Sequence, residues 1–365
     1  MTGLARGARV FVTGATGLVG SHVAALLRER GHPVRALHRP GADIAFLESV
    51  RCELVPGDVR AGVAELAEAM SECAAVVHTA AVTYVKLGWE QVRDVNAGGT
   101  ERVLRAAAQA GARRAVHLSS VSVYGDPDPA PDEATPLTRP LGERELYARS
   151  KREAERVAAE VARATGLRVT ILRASAVYGE RDRLFMPQVA SVFRLPMHVL
   201  LGDGNGTIPA VYAGNLASAV LAALAADGDP GNARVYDIGE DHPLTQIQLY
   251  RALADALGVP LRPVRLPRGL VLWGAALGDL FRIRILGAHE LPLRRTARQA
   301  MGPNPYGSAR LRADLGWEPR YDLGESLKRT AAWVAHEHAA LGMPQPAASS
   351  STDAKRLRPS VTHDR

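Results

Sequence analysis

The chain has 365 residues, 47% of them apolar, which is room for about two domains with a sizeable core. Its net charge of +7 comes from arginines scattered along the chain, with only four lysines and no dense basic block in the part expected to fold. That is a solvated surface and argues against a nucleic-acid partner. Cys52 and Cys73 are the only cysteines; lacking metal-ligand spacing, they read as reduced thiols of a cytoplasmic protein without a metal site. Met1 to Ala8 has no apolar core of signal-peptide length.

In chain order, Arg9 to Thr13 is a short β-branched run that reads as a buried strand. Gly14-Ala-Thr-Gly17-Leu-Val-Gly20 follows at once, and a helix with one apolar side begins at Ser21. A strand turning on glycines into a helix is an anion site, because the first helical N–H groups lack carbonyl partners and the helix dipole favours negative charge. Gly14 permits the turn, Gly17 the approach of a pyrophosphate, and Gly20 close packing of helix and strand. Dinucleotide binding by Gly14, Thr16, Gly17, Leu18, Val19 and Gly20 is the expectation.

Further strands are expected at Pro33–Leu37, Glu53–Pro56, Ala75–His78, Ala115–Leu118 and Arg168–Leu172, with helices at Ala61–Ser71, Glu90–Ala110 and Glu145–Thr165. That alternation means a doubly wound, Rossmann-type parallel sheet, an α/β fold. After Arg173 the alternation fails, and Val235–Ile238 is expected to return to the sheet. The expected division is a dinucleotide-binding domain over 1–175 with a returning segment near 211–240, an interleaved substrate domain over 176–340, and a disordered tail over 344–365. Leu270 to Leu280 is too short to span a bilayer. With Leu266, it places Leu270, Trp273, Leu277 and Leu280 at helical spacing, which reads as a core-facing or substrate-lining helix, with membrane-surface contact as the alternative.

The second strand ends Leu37-His38-Arg39-Pro40, with no acid for the ribose 2′-hydroxyl of NAD. The Arg39 guanidinium suits the 2′-phosphate of NADP, so NADP(H) is favoured. In Tyr147-Ala-Arg-Ser-Lys151 the phenol and the ammonium emerge on one helix face. A positive charge beside a phenol favours the phenolate, which makes Tyr147 a candidate acid–base catalyst.

Thr13–Gly20, Ser119-Ser120-Val-Ser-Val-Tyr124-Gly125, Tyr147-x-x-x-Lys151 and the closing Leu315-Gly-Trp-Glu-Pro319 stand in the order of the extended branch of the short-chain dehydrogenase/reductase superfamily, which the chain resembles from Arg9 to about Trp333. The resemblance implies a catalytic serine at Ser120, ahead of Ser119 and Ser122, and a supporting asparagine at Asn96. It also implies cofactor contacts at Asp58 and Val59, at Ala80 and Ala81 of a His-x-Ala-Ala motif, and at Ala176. Many members dimerise through helices like those beginning near Glu90 and Glu145, which implies a homodimer with apolar contacts from Val103, Leu104, Val157 and Val161.

Members divide between sugar-nucleotide epimerases or dehydratases and dehydrogenases of apolar alcohols. Ala176 and Ile208 stand where many sugar-nucleotide members carry an asparagine and an arginine. Val211-Tyr-Ala-Gly-Asn-Leu-Ala217 and Tyr306 resemble the 3β-hydroxysteroid dehydrogenase-like branch, although Ala174 replaces the proline usual after Leu-Arg. An apolar secondary alcohol or ketone is therefore the expected substrate, with Leu184, Phe185, Met186, Val192, Phe193 and Trp273 as an apolar set in the substrate domain. A sugar-nucleotide epimerase using the same Ser-Tyr-Lys residues is the alternative.

Overall fold

The computed structural model describes residues 4–83, 87–281 and 293–340. The first half alternates as the periodicity requires: β1 (Val10–Thr13), α1 (Leu18–Glu29), β2 (Val34–His38), α2 (Ala45–Ser49), β3 (Glu53–Pro56), α3 (Val63–Ala69) and β4 (Ala75–His78). Next come α4 (Trp89–Arg93), a π-helical turn (Asp94–Gly98), α5 (Gly99–Gln109), β5 (Arg114–Ser120), a 3-10 turn (Val121–Tyr124), α6 (Leu146–Thr165) and β6 (Arg168–Ala174). The second half contributes β7 (Ala176–Tyr178), α7 (Phe185–Ser191), β8 (His198–Leu201), β9 (Ala210–Tyr212), α8 (Ala213–Ala225), β10 (Ala233–Ile238), α9 (Gln246–Leu257) and β11 (Pro263–Leu266). Helices α10 (Arg268–Phe281), α11 (Leu293–Ala300), α12 (Ala309–Leu315) and α13 (Leu323–Ala340) close the chain.

Seven strands make one parallel sheet in the order β3-β2-β1-β4-β5-β6-β10. Being covered on both faces, its strands are nearly continuous apolar runs. Val10 and Val12 face a core shared with Val23 and Leu27 of α1 and Val220 and Leu224 of α8. Phe11 points the other way, among Leu66 of α3, Leu104 of α5 and Val161 of α6. Strand order reverses between β1 and β4, and a crevice opens at the carboxyl ends of such strands, where this architecture binds ligands. Val235–Ile238 does return to the sheet, as part of β10 beside β6. Two short parallel pairs, β7 with β9 and β8 with β11, lie outside it.

Several expectations are corrected. The helix expected over Glu90–Ala110 is divided by the π-helical turn, and α1 begins at Leu18, three residues earlier than expected. Leu270, Trp273, Leu277 and Leu280 are 52%, 64%, 47% and 51% exposed, so α10 turns these large apolar residues outward and that stripe is not core-facing. The reason is local: α10 packs on α11, whose Leu293 lies against Gly278, and Asp279 caps the start of α11 by accepting from the backbone of Leu293 and Arg294. The apolar set of the second half is divided between core and surface. Met186 is in the core with Phe185 and Phe193 packed on it, whereas Leu184 and Trp273 are exposed. Val103, Leu104, Val157 and Val161 are buried within the chain's own core and have no surface to give a partner. The outer faces of α4, α5 and α6 instead carry ion pairs, Arg93–Glu153, Arg105–Glu101 and Arg156–Glu160. The tail expected from 344 onward lies outside the described residues. Among those residues, no helix is long and apolar enough to cross a membrane.

Candidate active site

The glycine loop is shaped by contacts no side chain could share. Gly14 has φ +68°, and a Cβ there would stand 2.6 Å from the backbone nitrogen of Ala80. A Cβ on Gly20 would come within 2.2 Å of the Gly14 carbonyl oxygen, so Gly20 is needed for the loop to close on itself. Gly17 would meet nothing nearer than 3.2 Å, which leaves its outer side open to a ligand. No side chain caps the N-terminus of α1. These features fit a dinucleotide pyrophosphate on the first turn of α1, at the backbone of Leu18 and Val19. Val19 and Val59 put their own side chains into the core.

Behind the loop runs a chain of buried polar groups. Thr13 Oγ1 lies 2.7 Å from His78 Nδ1, and His78 Nε2 lies 3.1 Å from Thr100 Oγ1, which donates to the Asn96 carbonyl. Burial drives the His78 imidazole down to about 3, so this link is neutral. Thr79 donates to the Thr13 carbonyl, so Ala80 and Ala81, which follow it, are held beside Gly14.

Asn96 sits inside the π-helical turn, a distortion that recurs at functional sites. Its amide accepts from Val82 N (2.8 Å) and donates to Val82 O and to Ser150 Oγ, both at 2.9 Å. It thus ties the segment after β4 to the neighbour of Lys151, and Ser150 in turn donates to the Tyr147 carbonyl.

Tyr147 is half-buried one turn before Lys151 on α6, and Lys151 Nζ lies 5.9 Å from the centre of its ring. The ammonium is buried and donates to the Leu118 carbonyl at 2.7 Å, which seats it on the carboxyl end of β5. Burial lowers its pKa to about 8, with Glu155 opposing, so it remains positive at neutral pH. Ser120 ends the same strand, half-buried, and its hydroxyl accepts from Ser122 N as the cap of the 3-10 turn. Ser119 points away and donates to Glu155 Oε1 at 2.5 Å. The structure therefore gathers Ser120, Tyr147 and Lys151 around one strand end.

The residues expected to make the outer cofactor contacts are arranged differently. Asp58 is gripped by Arg60, whose backbone and guanidinium donate at 2.9, 3.0 and 3.1 Å. That side-chain bond is the main cause of its lowered pKa, with Arg39 a lesser one, so Arg39 stands nearby, exposed beyond β2. Ala176 opens β7 just past the end of β6, exposed. Cys52 and Cys73 are free, and burial pushes both thiols up to about 11, which leaves them inert at neutral pH.

A second set of residues surrounds Tyr124 and Tyr306, and in it Glu155, Arg173 and the role of Asp237 escaped the sequence reading. Glu155 continues the spacing of Tyr147 and Lys151 by one more turn and is forked by Arg173 of β6 (2.7 to 3.2 Å). Arg173 also donates to the Tyr124 hydroxyl, which donates to Asp237 of β10 (2.7 Å). Tyr306 stacks on Tyr124. The i+4 spacing of Glu155 was the one local signal; its partners come from strands far apart in sequence.

Residues 10–239 match the profile of the NAD dependent epimerase/dehydratase family. The 3 beta-hydroxysteroid dehydrogenase/Delta 5-->4-isomerase of Mycobacterium tuberculosis is 30% identical over 87% of this chain and 88% of its own. A farnesyl-dihydroquinoline-1-oxide ketoreductase of Stigmatella aurantiaca is 27% identical over 87% of this chain and 94% of its own. The UDP-glucose-4-epimerase of Stenotrophomonas maltophila, solved with bound NAD, superposes with a TM-score of 0.71 at 23% identity, covering 91% of this chain and 99% of its own, and so shares the fold. On the length of the profile match and the reach of its relatives, the chain belongs to the NAD dependent epimerase/dehydratase family and is an extended short-chain dehydrogenase/reductase.

Proposed function

We propose that the enzyme interconverts an apolar secondary alcohol and its ketone, with NADP(H) as the preferred cofactor. The observation that carries this reading is the placement of Tyr147 and Lys151 on one face of α6, with the ammonium seated at the strand end that carries Ser120. When bound, the nicotinamide exchanges hydride with the carbinol carbon. Tyr147 gives the proton to the substrate oxygen during reduction and takes it during oxidation, while the Ser120 hydroxyl holds that oxygen. Lys151 favours the phenolate by its charge, and Asn96 braces the helix through Ser150.

The choice of substrate class rests on residues that cannot hold a diphosphate. Ile208 packs against the apolar cluster of Tyr178, Met186 and Tyr212, and Ala176 offers only a methyl group. A diphosphate without such partners forgoes charge-assisted bonds worth roughly 1.5–3 kcal/mol each. The names of the Mycobacterium and Stigmatella relatives point to a sterol and a farnesyl-bearing ketone, both largely apolar. With NADPH or NADP, the purified enzyme should turn over sterol-like or aryl ketones or their alcohols and leave UDP-sugars unchanged. Turnover of a UDP-sugar at a micromolar KM would move the assignment to an epimerase using the same three residues.

The cofactor preference makes its own prediction. Arg39→Asp exchanges a bidentate phosphate partner for a repulsive charge, and NADPH should bind about 2–4 kcal/mol more weakly while NADH holds its affinity. Equal losses for the two cofactors would reject the assignment.

A further inference from the structure

The proposed NADP(H) reading, on which this inference rests, puts the adenosine ribose between the glycine loop and the loop after β2. A cleft of about 410 Å³ opens beside those two segments, bounded by Thr16, Asp43, Phe46, Arg181 and Arg183. Its far wall is the segment after β7, whose charged residues reach back to the dinucleotide-binding half. Glu180 lies 3.2 Å from His22 and accepts from Tyr212 and Arg329; Arg183 pairs with Asp43 at 2.9 Å. Arg181 donates to Ser21 Oγ at 2.9 Å, reaches the His22 ring, and lies 3.9 Å from the centre of the Phe46 ring.

Arg181 is unusual in two independent ways. Its φ is +69°, a left-handed backbone that is strained for a long side chain and persists only where the surroundings impose it. Its nearest carboxylate, Glu180, acts on it across the His22 ring and not by direct contact. Arg173 is forked on Glu155 and Arg295 pairs with Glu145, whereas the buried Arg114 donates to the backbone carbonyls of Leu224 and Ala226. Arg181 bonds to a neutral hydroxyl and an imidazole and, among the described residues, has no carboxylate within 4.0 Å. Burial lowers its pKa accordingly. It stands at the first turn of α1, where the helix dipole adds positive potential, and the hydroxyl of Thr16 lines the same cleft.

A desolvated cation at the positive end of a helix, on the rim where the ribose C2′ is expected, is built for a phosphate monoester. We propose that Arg181, backed by Arg183, binds the 2′-phosphate of NADP(H) and forms the second half of a clamp whose first half is Arg39. The Arg183–Asp43 pair is exposed and therefore weak, so a phosphate can take over Arg183 at little cost.

The test uses half-cofactors and needs no turnover. Adenosine 2′,5′-bisphosphate and 5′-AMP are titrated calorimetrically onto the wild type, Arg181→Gly, Arg183→Ala and Arg39→Ala. Glycine accepts the φ of Arg181, which offsets part of what is lost with its contacts to Ser21, His22 and Phe46, and Tm is measured for each variant so that a folding defect is read apart from binding. The wild type should bind the bisphosphate about 100-fold more tightly than 5′-AMP, and Arg181→Gly should remove about tenfold or more of that margin without weakening 5′-AMP. Arg183→Ala should remove a smaller part. A margin that survives Arg181→Gly but collapses in Arg39→Ala overturns the role of Arg181 and leaves the NADP(H) reading standing. Equal weakening of both probes in Arg181→Gly makes Arg181 a support of α1 and also overturns it. A wild type with no margin removes the NADP(H) preference itself, whereas the oxidoreductase assignment stands or falls separately on Tyr147.

Discussion

Tyr147→Phe should lower turnover by about 10²–10⁴-fold with cofactor affinity intact. The substitution removes one oxygen from a half-buried ring on α6, and the ties made by Ser150, Lys151 and Glu155 survive it. Ser150 still donates to the backbone carbonyl of residue 147, Lys151 still sits on the Leu118 carbonyl, and Glu155 still holds Arg173. Lost are the proton donor to the substrate oxygen and its stabilisation of the developing alkoxide. Ser120→Ala should cost less, because the phenol still holds the oxygen. Lys151→Met should damage both affinity and rate, since the ammonium serves the cofactor and the phenol alike. Turnover and cofactor titration on the three variants separate these roles. If Tyr147→Phe keeps more than about a tenth of wild-type turnover with chemistry rate-limiting, the mechanism is wrong.

The glycine loop and the Tyr147–Lys151 pair were legible in the sequence because each is a local object. A strand, three glycines and a helix fix one backbone path, and a four-residue spacing fixes one helix face. The same locality explains the first six strands, whose apolar runs need no knowledge of their neighbours. Failures came where a partner decides. Helix α10 has the periodicity of a buried helix, yet among its described side chains Val271 is the buried one and the large apolar stripe is exposed, which only the folded chain shows. Val103 and Val161 look like interface residues until the sheet is laid against them. Arg181 was passed over as one arginine among many; its backbone angle and the cleft it faces belong to the folded chain alone.

Asp237→Asn should make stability nearly independent of pH in the range where the wild type loses it. Asp237 lies buried on β10, beneath the turn that follows Ser120, and burial pushes its carboxyl up to about 7. Glu133 and Glu155 add to that rise, while the Tyr124 hydroxyl and Arg173 oppose it. In the unfolded chain the same group titrates near 3.9. Between those values the folded protein keeps a proton that the unfolded chain releases, so stability falls as pH rises from about 4 to 7 and levels off above. Asparagine resembles the protonated carboxyl, and its Oδ1 can still accept from Tyr124. Wild type and variant should therefore be equally stable near pH 4 and diverge with rising pH, the variant being favoured by about 2–4 kcal/mol at pH 8. Denaturant unfolding at a series of pH values reads this directly, and a difference that does not change with pH would mean that Asp237 is ionised throughout. Such a carboxyl is destabilising at neutral pH, yet it completes the line Ser119–Glu155–Arg173–Tyr124–Asp237 that joins β5, α6, β6 and β10. Its return is registry: the helix bearing Tyr147 and the strand end bearing Ser120 are pinned to the same network, so Asp237→Asn should preserve catalysis while Arg173→Met, which strands the Glu155 carboxylate, should unfold the site.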